Sequence, residues 1–182
     1  MRALRRANRA IALACGLVLL ATVLFVLVEI GLRALGLHGL GGSDEIGGYV
    51  MAGVTAWGLA FALTERAHIR IDMAVRRLTT PIRDAVDVAA LASIAAVAIT
   101  VAIYGWAVVG KSLERGSTAN TPLETPLWWP QIAWWAGWTW FAVTASLVTL
   151  AAVTLALSRR SDELRVLAAN DEGLETGAEP AR

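Results

Sequence analysis

Four long stretches without a charged residue constrain this chain more than any other feature of its sequence. They cover residues 11–28, 46–64, 88–110 and 125–158. A helix needs about 20 mainly apolar residues to cross a hydrocarbon core of about 30 Å, and helices pair their backbone polar groups internally, as lipid requires. Hydrophobic residues make up 57% of the 182 residues, which exceeds what a soluble protein of this size contains. The pattern predicts an all-α integral membrane protein with four transmembrane helices.

The predicted spans lie at about residues 11–30, 46–64, 88–110 and 131–157. The fourth uncharged stretch is too long for one span, and Pro126 and Pro130 interrupt its start. Because proline is tolerated in the first turn of a helix, we expect the fourth helix to begin near Gln131. No small-x-small cleavage site follows the first span, so we expect it to remain as a membrane helix. Residues 1–160 should form the membrane domain, and the acidic tail 161–182 should be disordered.

Lysines and arginines are distributed unequally between the two sides of the predicted bundle. Thirteen of the 16 lie in the N-terminal segment, the connection between the second and third spans, and the tail. The other two connections hold three, Arg33, Lys111 and Arg115. Cytoplasmic loops carry the excess positive charge in membrane proteins, so both termini are predicted to be cytoplasmic. The clustered charges also argue against nucleic-acid binding.

The connection between the second and third spans has helical periodicity. At 100° per residue, most apolar side chains of residues 71–89 fall in one arc and the charged ones on the other side. This predicts an amphipathic interfacial helix over about residues 71–87, interrupted at Pro81. Its candidate contacts at the cytoplasmic interface are Arg70, Asp72, Arg76 and Arg77. The helix is either a connector lying on lipid head groups or a brace against a partner, and the sequence favours neither.

Ridges of small residues predict where membrane helices approach one another closely. The second helix carries small residues at every fourth position: Gly48, Ala52, Ala56 and Ala60. The third helix has a similar line: Ala85, Ala89 and Ser93. We therefore expect the second and third helices to pack together, and the ridge of the second is a candidate contact for another subunit.

Six of the eight tryptophans lie between Trp128 and Trp140, at the predicted outer end of the fourth helix. Tryptophan is enriched at membrane–water interfaces, so an aromatic belt is the favoured interpretation. A belt does not require its rings to share a face, however, and Trp134, Trp138 and Phe141 share one. These three are therefore also candidates for packing against another subunit.

The predicted spans hold almost none of the groups that membrane chemistry needs. Polar groups at bilayer depth are costly and mark function where they are kept, yet the four stretches contain no ionised residue. Both histidines lie in loops, the single cysteine, Cys15, lies in the first helix, and the common hydrolase, metalloprotease, phosphate-loop and CxxC motifs do not occur. We therefore predict no enzyme activity, no cofactor and no metal site, and expect a scaffold.

Glu29 has two possible roles. A single embedded carboxylate in the first helix can drive proton-coupled export, as in the small multidrug-resistance transporters. Alternatively, Glu29 forms an ion pair with Arg33, four residues later, and Glu45 shares that arginine across the short outer connection. The ion pair is favoured because Glu29 follows 18 uncharged residues and so lies near the end of the span.

Several segments together resemble one transporter family. They are Glu29-x-x-x-Arg33, Glu45 at the start of the second span, GLAFALTERAHIRIDM at 58–73, and GSTANTPLETPLWWPQIAWWAGW at 116–138. In order and spacing they are similar to the small permease subunit of tripartite ATP-independent periplasmic (TRAP) transporters, the DctQ-like family. The resemblance covers roughly residues 28–157. One departure is that Ser43 and Asp44 precede Glu45, where the family often has a tryptophan.

The resemblance implies a division of labour among three proteins. In such systems a large membrane subunit carries the substrate and sodium sites, and a periplasmic solute-binding protein delivers an organic anion, often a carboxylate. The small subunit scaffolds the large one. This chain would then be a multi-pass protein of the bacterial inner membrane, with the large permease subunit, the binding protein and the lipid bilayer as partners in a symporter. The alternative is an independent proton-coupled exporter that uses Glu29.

Overall fold

The computed structural model describes residues 2–38, 41–65, 79–121 and 123–158, together with residues 160, 163, 164 and 167. Within these residues the chain forms four long helices. They are α1 (Arg2–Ala34), α2 (Ser43–Thr64), α3 (Thr80–Glu114) and α4 (Trp128–Leu157). All four are long and apolar enough to cross a membrane. The predicted fold class, an all-helical protein with four membrane spans, is confirmed.

Three of the four helices, α1, α2 and α3, extend beyond the uncharged stretches from which they were predicted. α1 has 33 residues and α3 has 35, so at 1.5 Å per residue each is about 50 Å long, more than the hydrocarbon core requires. α4 begins at Trp128 instead of Gln131, because Pro130 is accommodated in its first turn and does not delay the helix. The predicted end of α4 at Leu157 is correct.

The start of α3 changes the interpretation of the connection before it. Pro81 lies in the first turn of α3, where its missing N–H group has no helical partner to lose. Residues 80–87 are therefore the first two turns of α3, and Pro81 begins this helix instead of interrupting one. The candidates Arg70, Asp72, Arg76 and Arg77 lie outside the described residues. For residues 71–78 the interfacial helix stays a prediction.

The four helices form an open row instead of a closed bundle. α1 packs against α2, α2 against α4, and α4 against α3. The predicted close packing of α2 with α3 is wrong, because α4 lies between them. A shallow groove of about 320 Å³ separates Leu59 of α2 from Ser93 and Val97 of α3, with Trp138 and Phe141 of α4 at its base.

Alanine dominates the core along this row. The buried cluster joins α2, α3 and α4 through Ala60, Leu63, Ala95, Ala98, Phe141, Ala142, Ala145 and Val148. Small side chains let helix backbones approach closely, which is the main source of packing energy between helices in lipid. The contribution of α1 to this cluster is limited to its first turns, where Leu4 packs against it.

The first residues of the tail differ from the prediction of a solvated segment. Leu164 is fully buried, and Leu167 packs against the core cluster. A small pocket at this end is lined by Leu4, Leu63 and Leu167, among others. Leu167 therefore lies against the membrane helices instead of in solvent.

Candidate functional site: the outer polar cluster and the inner polar tie

Two buried carboxylates mark one end of the molecule, where the α1–α2 and α3–α4 connections lie. The charge distribution predicts that this end faces the outside of the cell, and it is called the outer end here. Glu29 of α1 is 1% exposed and Glu45 of α2 is 9% exposed. Burying a carboxylate is costly unless it is paired or hydrogen-bonded. The partners of these two residues therefore show which segments are joined at the outer end.

Glu29 holds the end of α1 against the start of α2. Its Oε1 atom pairs with the Arg33 guanidinium one turn later. The Ser43 side chain and the Gly41 backbone also lie against this carboxylate. An acidic group is favoured beside the first turn of a helix, where unpaired N–H groups give a partial positive charge. Glu29 therefore forms an ion pair within α1 and a polar contact with the start of α2.

Glu45 has hydroxyl partners instead of the predicted Arg33. The Tyr49 hydroxyl donates to Oε1 at 2.8 Å, one turn along α2. The Thr121 hydroxyl donates to Oε2 across 76 positions of sequence. The difference arises because Arg33 is already engaged by Glu29, while the α3–α4 connection reaches over the start of α2. We call the Glu45–Thr121 contact the outer clamp.

The described part of the α3–α4 connection, residues 117–121 and 123–127, forms a tight hairpin, called the outer hairpin. Its two arms are joined by the backbone bonds Ala119 N–H to Thr125 O (2.9 Å) and Leu127 N–H to Ser117 O (3.0 Å). Near its tip, Glu124 has a positive φ of 46°, a conformation that is uncommon for residues other than glycine. The clamp fixes this hairpin to α2 at Thr121, and the side chain and backbone of Thr125 on the same hairpin also lie against the Glu45 carboxylate.

Gly42 allows the outer hairpin to close onto the α1–α2 connection. Gly42 has a φ of 77° immediately before α2, a backbone region that residues with a Cβ rarely adopt. A Cβ at this position would also overlap the Leu123 side chain. The hairpin and the α1–α2 connection are therefore in direct contact, in addition to the clamp.

A second polar group lies at the opposite end, between α1, α2 and α4. Asn8 is fully buried. Its Nδ2 donates to Ala60 O at 3.1 Å and to Thr64 Oγ1 at 3.2 Å, and its Oδ1 accepts from Trp140 Nε1 at 2.7 Å. We call these contacts the inner polar tie. Nearby, Arg9 and Glu65 form a surface ion pair at 3.6 Å.

Sequence analysis missed Asn8 because the residue lies before the first uncharged stretch, among arginines. A signal was nevertheless present: Asn8, Cys15, Thr22 and Glu29 of α1 follow one another at intervals of seven residues. Positions seven apart lie on the same face of a helix. The two ends of this line, Asn8 and Glu29, are the two buried polar residues of α1.

The tryptophans of α4 serve contacts inside the chain. Trp135 Nε1 donates to Ala102 O of α3 at 2.8 Å, and its ring lies 4.8 Å from that of Trp106. Trp57 Nε1 of α2 donates to Ala133 O at 3.0 Å. Each bond satisfies an indole N–H and joins α4 to a neighbour, a role that neither an aromatic belt nor a subunit contact describes.

The predicted aromatic face is divided between the core and the surface. Phe141 is 5% exposed and lies in the core cluster. Trp138 stacks edge-on between Trp134 and Phe141, with ring centres 6.2 and 5.9 Å away. Trp134 also lies against Gly105 of α3. Phe141 is therefore occupied within the chain, while Trp134 and Trp138 are half-buried.

The small-residue ridge of α2 is also divided between the core and the surface. Ala56 and Ala60 are buried, and α4 is their neighbour in this chain: a Cβ on Gly137 would lie 2.9 Å from Ala56 Cβ. Gly48 and Ala52 are exposed. Contact with another subunit stays a prediction for these two.

The described residues contain no group of three or more His, Cys, Asp or Glu side chains placed to hold a metal ion. Cys15, the free thiol, is half-buried on α1.

Comparison with known protein families gives a match over most of the chain. Residues 22–159 match the model described as the DctQ component of tripartite ATP-independent periplasmic transporters. Comparisons with curated proteins and with solved structures gave no match. The matched range includes Glu29, Glu45 and the outer hairpin, together with α2 to α4 in full. It covers well over half of the sequence. The chain therefore belongs to the DctQ family, the small membrane component of TRAP transporters.

Proposed function

We propose that this chain is the scaffold subunit of a TRAP-type transporter that imports an organic anion with sodium. It acts with a large permease subunit and a periplasmic solute-binding protein in the bacterial inner membrane. Both of its termini lie in the cytoplasm, as the distribution of lysine and arginine predicts. The family match over residues 22–159 is the observation that carries this proposal.

The open row of helices supports a scaffold role. The most apolar window of α1 has no buried residue within the chain, and its large side chains, such as Leu13, Leu17 and Leu24, are half or more exposed. A helix apolar on all sides belongs either in lipid or against another apolar surface. The row therefore presents a wide apolar face to the bilayer and to a membrane partner.

The proton-coupled exporter is not proposed. Its mechanism needs a carboxylate within the membrane that is free to exchange protons with a substrate. Glu29 is instead paired with Arg33 and lies within two turns of the end of α1. Its surroundings are those of a residue that joins α1 to α2.

Reconstitution tests the proposed function. The chain should copurify with a large permease subunit of a TRAP transporter, and liposomes containing both should accumulate an organic anion when a sodium gradient and the loaded binding protein are supplied. Liposomes containing this chain alone should neither bind nor accumulate the anion. Uptake by the isolated chain, or the absence of any complex with a large permease, would show that the proposal is wrong.

A further inference from the structure

The outer hairpin is more firmly held than a simple connection between two helices requires. Its arms are cross-bonded, Leu123 lies against the α1–α2 connection at Gly42, and Thr121 is bonded to a carboxylate that is 9% exposed. Most loops of this length run over the surface without buried polar anchors. A buried carboxylate is a costly anchor, which indicates that the position of the hairpin matters for function.

The surface that this arrangement presents has the composition of a protein-binding site. Leu123 at the tip is 45% exposed, and Leu35 and Leu37 on the adjoining connection are 76% and 56% exposed. Asp44 and Glu124 beside them are exposed. Apolar side chains with a charged rim are typical of interfaces between proteins. A backbone outlier at an exposed tip, here Glu124, also points to function.

From this geometry we infer that Glu45 is a positioning residue, which holds the outer hairpin through Thr121 so that Leu123 and Glu124 can receive the periplasmic solute-binding protein. The inference rests on the proposed function. A soluble protein in the periplasm is the partner that fits, because the hairpin lies at the predicted outer end, beyond the uncharged part of each span. Holding the hairpin in its bound shape before contact reduces the entropy lost on binding.

The clamp acts on docking and leaves later transport steps alone. Loss of the clamp should therefore raise the concentration of binding protein needed for half-maximal uptake, and the maximal rate should change little. The side chains that touch the partner are those at the tip, so a change at Leu123 should produce the same shift while the clamp stays intact.

The experiment uses liposomes that contain this chain with the large permease, and titrates the purified, solute-loaded binding protein. Thr121→Val removes the hydroxyl donor with little change in shape and should raise the half-saturating concentration about tenfold, the size of a typical interface contact. Glu45→Ala should act in the same direction, and the double variant should be no worse than the stronger single variant. Glu45→Gln keeps the acceptor oxygen and should remain near the wild type.

Two further variants separate docking from stability. Leu123→Asp should raise the half-saturating concentration without lowering the yield of the complex. Thr100→Val is the matched control, because among the described residues its hydroxyl bonds to Ala96 O within α3, and it should leave both kinetic parameters unchanged. If Thr121→Val lowers the maximal rate at an unchanged half-saturating concentration, or changes neither, the positioning role is wrong. If the wild-type complex shows no uptake that depends on a binding protein, the proposed function itself fails.

Discussion

The first and fourth helices are fixed in the molecule by different kinds of contact. In α4, 33% of the most apolar window is buried, between neighbours on two sides, whereas none of the corresponding window of α1 is buried. α4 is held along its length by glycine, alanine and indole contacts. α1 has polar contacts with its neighbours near both ends, through the hydrogen bonds of Asn8 at one end and the contact of Glu29 with Ser43 and Gly41 at the other. α1 also packs against α2, but because none of its apolar window is buried, we expect these polar groups to add to its attachment.

The largest expected effect comes from filling the closest contact of α4. A Cβ on Gly137 would lie 2.9 Å from Ala56 Cβ and 3.0 Å from the Ala56 backbone, so the two helices would have to separate. Gly137→Val should therefore lower the free energy of unfolding in detergent by about 2–3 kcal/mol, measured as a large drop in Tm. Gly110→Val is the matched control, because a Cβ at Gly110 meets no atom within 4 Å.

Equal stability of these two valine variants would mean that α4 is not held by close packing. The comparison between α4 and α1 would then lose its basis, because both helices would depend on polar contacts alone. If Gly137→Val lowered the free energy of unfolding only slightly and Gly110→Val lowered it strongly, the close helix contact would lie at α3 instead.

The sequence was sufficient to predict the helices but not their neighbours. Uncharged length predicts spans because the bilayer sets that length, and the predicted ends at Thr64 and Leu157 are correct. The length of an uncharged stretch does not predict where a helix starts, because α1 and α3 begin among polar residues that lie before their uncharged stretches. Neighbours were mispredicted because α2 and α3 both carry small-residue lines, while the residue that α2 contacts, Gly137, is a single glycine among tryptophans.

Some of the polar contacts could be predicted from the sequence and others could not. Glu29 and Arg33 lie one turn apart, so their pair follows from helical spacing. The partner of Glu45 does not, because Thr121 is brought to it by the path of a connection 76 residues away. Asn8 was hidden by the arginines around it, although its seven-residue spacing to Cys15 was visible.

The inner polar tie should produce the next largest effect, and it tests whether α1 depends on polar contacts. Asn8→Ala removes three hydrogen bonds and leaves the indole N–H of the half-buried Trp140 without its acceptor. A double-mutant cycle with Trp140→Phe, followed by thermal unfolding in detergent, should give a coupling energy of about 0.6 kcal/mol and at most about 1.7 kcal/mol. The same cycle between Asn8→Ala and Trp135→Phe should give a value near zero, since Trp135 bonds to α3. Similar coupling in both cycles would show that Asn8 acts through general packing.

The smallest effect is expected at the other end of α1, where Glu29 pairs with an arginine whose side chain is 63% exposed. Exposed partners contribute little because water screens them, so Glu29→Gln should change stability by less than about 1 kcal/mol. In liposomes with the large permease it should keep most of the uptake, because glutamine retains an oxygen that Arg33 can bond. An exporter driven by Glu29 would instead lose all activity, since glutamine cannot carry the proton.

The control is Glu114→Gln. Glu114 is an exposed carboxylate in the last turn of α3, so its replacement also removes one negative charge at the outer end. If Glu29→Gln abolishes uptake and Glu114→Gln does not, then the polar contacts at the outer end of α1 take part in transport. The two ends of this helix would then differ in function, because the contacts of Asn8 at the other end serve stability.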